Sequence, residues 1–138
     1  LSSAQKSELQ QLLQAWQPPA GADGFEGLVA VALAQVSGLP IRLARSGSQF
    51  GRDGLSTPGD FVIAFEAKRY GDRPPTLQEL TTKAALATHD LGDGLDIWAC
   101  AVTTDIGDLA GDVREILDRA GITLLMLDWP TGGLSPLA

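Results

Sequence analysis

The stretch FVIAFEAKRYG, residues 61 to 71, limits the available folds more than any other part of the chain. Phe61 to Phe65 are apolar at consecutive positions, so a strand here must be covered on both faces. Such a strand belongs inside a sheet with one layer above it and one below. Glu66, Lys68 and Arg69 then follow directly. Side chains alternate along a strand, so Glu66 and Lys68 share a face while Ala67 turns away. Burying either charge alone costs several kcal/mol, so the pair must be mutually compensated or must serve a ligand.

The layers that cover this strand are legible on either side of it. SSAQKSELQQLLQAW places Ser2 and Gln5 at capping-box spacing, with Leu9, Leu12, Leu13 and Trp16 at helical spacing and Pro18-Pro19 as a stop. A second helix is predicted from about Asp23 to Val36, with the apolar stripe Phe25, Leu28, Val29, Ala32, Leu33 and Val36, closed by Gly38. Three strand-like runs follow: IRLARS, SQFGRDGLS and DFVIAFEAKR. Beyond Pro74-Pro75, TLQELTTKAALATHDL reads as a helix whose inner face is Leu77, Leu80, Ala84 and Leu91; DIWACAVTT reads as a buried strand. Leu109, Val113, Ile116, Leu117 and Ala120 mark a last helix capped by Gly121, and ITLLMLDW the last strand. The order α-α-β-β-β-α-β-α-β predicts an α/β protein with a mixed central sheet and flanking helices.

A chain of 138 residues, 44% of them hydrophobic, can bury the core this plan needs in one domain, taken as residues 1–129. One cysteine, Cys100, excludes an internal disulfide and lies in the apolar run IWACAV as a small core side chain. With a single histidine, His89, it cannot build a structural zinc site. No apolar run reaches the ~20 residues of a membrane span and no signal-peptide pattern opens the chain, so a cytoplasmic location and no membrane partner are expected. The chain begins at Leu1 and ends in the Pro/Gly/Ser-rich DWPTGGLSPLA. Residues 130–138 are therefore expected to be a linker toward a further C-terminal region of a longer protein.

The net charge of −7 is unevenly spread. Between Gly38 and Pro75 six basic side chains face four acidic ones, a balance of +2, while the rest of the chain carries four against thirteen, a balance of −9. The basic charge gathers around the unusual strand, and local sign matters more than the total for a polyanionic partner.

The hairpin before that strand supplies a third charged group. If Pro58-Gly59 is a two-residue loop, Thr57 pairs with Asp60 and Asp53 falls opposite Ala64, on the face that carries Glu66; a bulge at the turn shifts this register. A diagonal neighbour is ~7–8 Å away, close enough for two carboxylates to reach one cation. Asp60 is excluded as a partner, because six residues of strand separate it from Glu66 by roughly 20 Å. Asp53, Glu66, the Ala67 carbonyl and Lys68 thus form a hard-oxygen set with an ammonium beside it. Magnesium suits such ligands. A cation there offsets charge on phosphoryl oxygens while Lys68 orients a water for in-line attack on a phosphodiester.

GRDG followed by FEAKRY resembles the PD-(D/E)xK nuclease superfamily, the restriction-endonuclease-like fold, and SGSQFGRDG with EAKRY is most similar to Mrr-like nuclease domains of larger bacterial defence and restriction proteins. The resemblance implies a core of order α-β-β-β-α-β over residues 23 to about 104, with an extra N-terminal helix and a C-terminal α-β extension. It makes Asp53 the motif acid and Glu66-Ala67-Lys68 the E-x-K element, and adds Glu26 from the helix before the first strand. Arg52 stands where many members have proline. The implied activity is Mg2+-dependent hydrolysis of DNA, with Mn2+ as a substitute. The implied partners are double-stranded DNA, further domains of the same polypeptide, and room for a homo-oligomer. Gln49, Ser48, Arg52, Arg69, Tyr70 and Arg73 are candidate DNA contacts; Lys83 and His89 read as surface residues, Trp98 and Trp129 as packing. Two other readings stay open: a catalytically inactive nuclease-fold module that binds DNA or assembles a complex, and an interaction domain in which Glu66 and Lys68 form a plain salt bridge.

Overall fold

The computed structural model describes residues 1–44, 52–57, 59, 61–71, 73–91 and 94–138. Among them are four helices, α1 (Ser3–Gln14), α2 (Phe25–Ser37), α3 (Leu77–Leu91) and α4 (Leu109–Arg119). Five strands, β1 (Ile41–Leu43), β2 (Gly54–Ser56), β3 (Ile63–Lys68), β4 (Ile97–Val102) and β5 (Thr123–Leu127), form one mixed sheet in the order β1-β2-β3-β4-β5. The β1–β2 and β2–β3 pairs are antiparallel, β3–β4 and β4–β5 parallel. The protein is α/β, as its sequence order predicts.

Each face of the sheet has its own core. On one, Leu13 of α1 and Phe25, Val29, Ala30 and Leu33 of α2 pack against Ile63, Phe65 and Ala67. On the other, Leu80, Ala84 and Ala87 of α3 and Val113 and Leu117 of α4 pack against Ala64, Trp98, Cys100 and Val102. Both parallel crossovers put their helices on that second face, which gives β3 and β4 the double covering their apolar runs require.

Local signals fix several element ends. Gln5 N–H donates to Ser2 Oγ (3.2 Å) and Ser2 N–H to Gln5 Oε1 (2.8 Å), the reciprocal bonds of a capping box. Gly38 ends α2 at φ 71°, a left-handed conformation that favours glycine. The packed face of α2 differs from the predicted stripe. Gly27 and Ala30 join Phe25, Val29 and Leu33 inside, whereas Leu28, Ala32 and Val36 face outward. A Cβ at Gly27 would run into the Ala22 backbone, so glycine there lets the turn before α2 fold against the helix.

The β2–β3 register also departs from the two-residue loop. Leu55, not Asp53, lies opposite Ala64, and Gly54 lies opposite Phe65. Val62 N–H is taken by Asp96 Oδ2 (2.7 Å) and Ile63 N–H by Ser56 Oγ (2.9 Å). The start of β3 is thereby engaged by side chains, and ladder pairing begins later along the strand. Pro58 and Asp60 lie outside the described residues. At Gly54 a Cβ would run into the Phe65 ring and crowd the Arg42 carbonyl, so glycine lets this ring lie over β2.

No described helix is long and apolar enough to cross a membrane. Residues 130–138 form no helix or strand and are tied back to the domain. Thr131 N–H donates to Asp105 Oδ2 (2.7 Å), Lys6 Nζ to the Gly133 carbonyl (2.9 Å) and Ser135 Oγ to the Asp128 carbonyl (2.9 Å).

Candidate active site at the end of strand β3

The register slip is two residues, so it leaves every side chain on its face and moves Asp53 toward Glu66. Asp53 N–H donates to the Phe65 carbonyl (2.6 Å), and Asp53 Oδ2 accepts the Ala67 N–H (2.7 Å). Asp53 is thus clamped across the strand beside the E-x-K segment and is buried. Lys68 Nζ lies 3.1 Å from Glu66 Oε1 and 3.9 Å from Asp53 Oδ2. Those two oxygens are therefore at most about 7 Å apart, the two distances together; to share one magnesium they would have to close to about 4 Å.

Glu66 is 0% exposed, and among the described residues its carboxylate has no backbone, hydroxyl or amide donor. What it has are two ammonium groups, Lys68 Nζ at 3.1 Å and Lys83 Nζ at 3.3 Å, both on Oε1. Burial, then the Asp53 charge, pushes the Glu66 carboxyl above its ordinary range, against the pull of both lysines. Burial works against the Lys68 charge as well, but Glu66 and Asp53 outweigh it and its pKa is raised. Lys68 remains an ammonium near neutral pH.

Glu26 reaches the cluster from α2. Its Oε2 accepts the Gly21 N–H (2.9 Å). Burial raises its carboxyl first, the Gly21 bond opposes this, and the Asp53 charge raises it further; Lys68 is also close enough to act on it. Both faces of the sheet therefore send a carboxylate toward Asp53.

The cluster opens into a cavity of about 520 Å³ between β3 and α3, lined by Glu66, Lys68, Tyr70, Arg73, Thr76 and Lys83 among others. Tyr70 is half-buried on its wall, with the Arg73 guanidinium 5.3 Å from its ring centre and its own backbone locked to Thr103 Oγ1. Burial, then Glu79, holds its hydroxyl neutral with a pKa of about 12. At the cavity rim Thr76 caps α3. Glu79 N–H donates to Thr76 Oγ1 and Thr76 N–H to Glu79 Oε2, while Arg73 grips both Glu79 oxygens.

Several expected DNA contacts lie elsewhere. Arg52 is ion-paired with Asp90 of α3. Arg69 alternates to the opposite face, where Nη1 donates to the Gln14 carbonyl at the end of α1 (2.7 Å). Ser48 and Gln49 lie outside the described residues. Much of the basic excess around β3 thus has partners within the fold.

Lys83 is the correction in the other direction. Its expected surface position fails because it lies on the inner side of α3, three residues after buried Leu80 and four before buried Ala87. That spacing was readable in the sequence.

Among the described residues no three His, Cys, Asp or Glu side chains converge as a ready-made metal cage. The donor chemistry still fits a hard divalent cation. Asp53 and Glu66 are neighbouring carboxylates, Glu66 has unused acceptor capacity, and magnesium commonly takes one or two carboxylates and completes its shell with water. Comparison with protein-family models, curated proteins and solved structures finds no match to this chain.

Proposed function

We propose that this chain is a magnesium-dependent endonuclease domain of the PD-(D/E)xK, restriction-endonuclease-like class, cleaving double-stranded DNA as the nuclease part of a larger defence or restriction protein. One observation carries the reading: Glu66 is fully buried with only ammonium groups to satisfy it among the described residues, beside Asp53 and Lys68 on the wall of a cavity. A buried carboxylate left so poorly satisfied costs stability, so a ligand-binding role gives it a reason to be there.

Asp53, Glu66 and the Ala67 carbonyl would hold Mg2+, or Mn2+ in its place, with Glu26 completing the site. The bound cation supplies charge compensation at the phosphoryl oxygens. Lys68, charged and at the rim, donates to the attacking water or to a phosphoryl oxygen and fixes it in line with the scissile bond. Arg73 and Tyr70 stand along the cavity wall where the flanking strand would run. Incubating the domain with linear and supercoiled duplex DNA and Mg2+ tests this: cleavage is expected, lost with EDTA and with Asp53→Asn. A folded wild-type chain that binds no Mg2+ or Mn2+ and cuts no DNA overturns it.

The Lys83–Glu66 contact favours a second reading, a buried ion cluster in a non-catalytic module, because two lysines compensate one glutamate more fully than one. Metal titration separates the two readings, since an ion cluster has no call on a divalent cation.

A further inference from the structure

We propose that Lys83 is an exchangeable counter-ion: it neutralises Glu66 while no cation is bound, then swings into the cavity to hold a phosphate of the substrate. This rests on the metal-dependent nuclease reading above and extends it to a residue of α3.

Three observations lead there. Lys83 Nζ and Lys68 Nζ both crowd Glu66 Oε1, at 3.3 and 3.1 Å. Two ammonium groups on one oxygen repel each other, so one can leave once another cation supplies its charge. Secondly, Lys68 is anchored by two carboxylates, Glu66 and Asp53, whereas the described ion pair of Lys83 is with Glu66 alone. A divalent cation between Asp53 and Glu66 adds positive charge next to both ammoniums, and the less anchored one yields. Thirdly, Lys83 has somewhere to go. Its side chain is 27% exposed, it lines the 520 Å³ cavity, and its four-carbon stem pivots from a helix that need not move. Across that cavity Glu79 is already gripped by Arg73, so the ammonium meets no other unengaged carboxylate on the named wall, and an incoming phosphate is the natural partner.

The exchange predicts effects of opposite sign in one variant. Lys83→Met removes the competitor for Glu66 and a phosphate contact together. Calorimetric titration with Mn2+ at constant ionic strength should show about tenfold tighter binding than wild type. Duplex DNA binding, followed by anisotropy in Ca2+ over a salt series, should weaken, with the slope of log K against log salt flatter by about one. Lys83→Arg should return both toward wild type, and Lys83→Gln should repeat the Met result. Mn2+ affinity unchanged or weakened in the neutral variants, or an unchanged salt slope, overturns the exchange while leaving a metal-binding, cleaving wild type intact. A wild type that takes up no Mn2+ overturns both the exchange and the nuclease reading.

Discussion

Strands β3 and β4 run side by side in one direction, from Ile63 opposite Ile97 to Lys68 opposite Val102. Toward α1 and α2 they are near equivalents, with Ile63, Phe65 and Ala67 on one and Ile97, Ala99 and Ala101 on the other. Toward α3 and α4 they part. There β4 carries Trp98, Cys100 and Val102, all fully buried, while β3 carries Ala64, Glu66 and Lys68. β4 records what the fold asks of these positions, which is apolar bulk. Glu66 sits opposite Cys100 at the same depth, so the fold does not account for its charge. The neighbours differ too: Cys100 has Met126 on its outer side, whereas the outer neighbour of β3 is β2, which brings in Asp53.

The comparison is broken most severely by giving β4 the charge of β3. Cys100→Glu lacks a lysine partner of its own, stands beside Glu66, and should lose at least about 3 kcal/mol in urea unfolding at neutral pH. A Cys100→Glu protein as stable as wild type would show that depth on this face does not forbid a carboxylate, and the contrast between the strands would fall.

Removing the cation that distinguishes β3 should act on chemistry instead. Lys68→Ala is expected to keep its circular dichroism spectrum and lose duplex cleavage by about 10²- to 10³-fold. Normal cleavage by the folded variant would move Lys68 out of the site.

Converting β3 toward β4 is the third step. Replacing the whole cluster, Glu66→Leu with Lys68→Met, Lys83→Met and Asp53→Asn, should leave stability unchanged or raise it, by up to about 4 kcal/mol, because no buried charge is left without its partner. A clear drop in unfolding midpoint would make the cluster a structural element.

The smallest effect sharpens the contrast between two carboxylates on one cavity. Glu79, hydrogen-bonded by Arg73 and then by Thr76, has its pKa lowered from 4.5 to about 2. It contributes stability that is present above about pH 4.5 and lost as pH falls toward 2. Glu66, raised by burial, has the opposite sign: ionising it weighs against the fold as pH climbs above 4.5. Acid unfolding curves should therefore respond in opposite directions to Glu79→Gln and Glu66→Gln, with the Glu79 change small because that pair is exposed to solvent.

Much of the fold was legible because it rests on short-range rules. The capping box at Ser2 and Gln5, the stop at Gly38 and the double-sided apolar runs of β3 and β4 each follow from a few neighbouring residues. The partnership of Glu66 with Lys68 belongs to the same class, since alternation alone puts them on one face. The stripe of α2 was less legible. Leu28 and Val36 have the hydropathy of a core face but lie outward, and the packed face runs through Phe25, Val29, Ala30 and Leu33 instead.

Sequence patterns placed the four helices, the cores of the described strands and the charged side of β3, because backbone sterics and hydrophobic period act over one or two turns. Tertiary structure alone decided which distant groups meet there. The β2–β3 register moved by two residues, a slip that leaves every face unchanged and is therefore invisible to a pattern of period two. That slip set Asp53 on the Ala67 N–H. Packing of α3 against β3 turned Lys83 to Glu66, and the position of α1 on the opposite face gave Arg69 the Gln14 carbonyl. A long, flexible charged side chain has many reachable partners of similar energy, and only the packed neighbours choose among them.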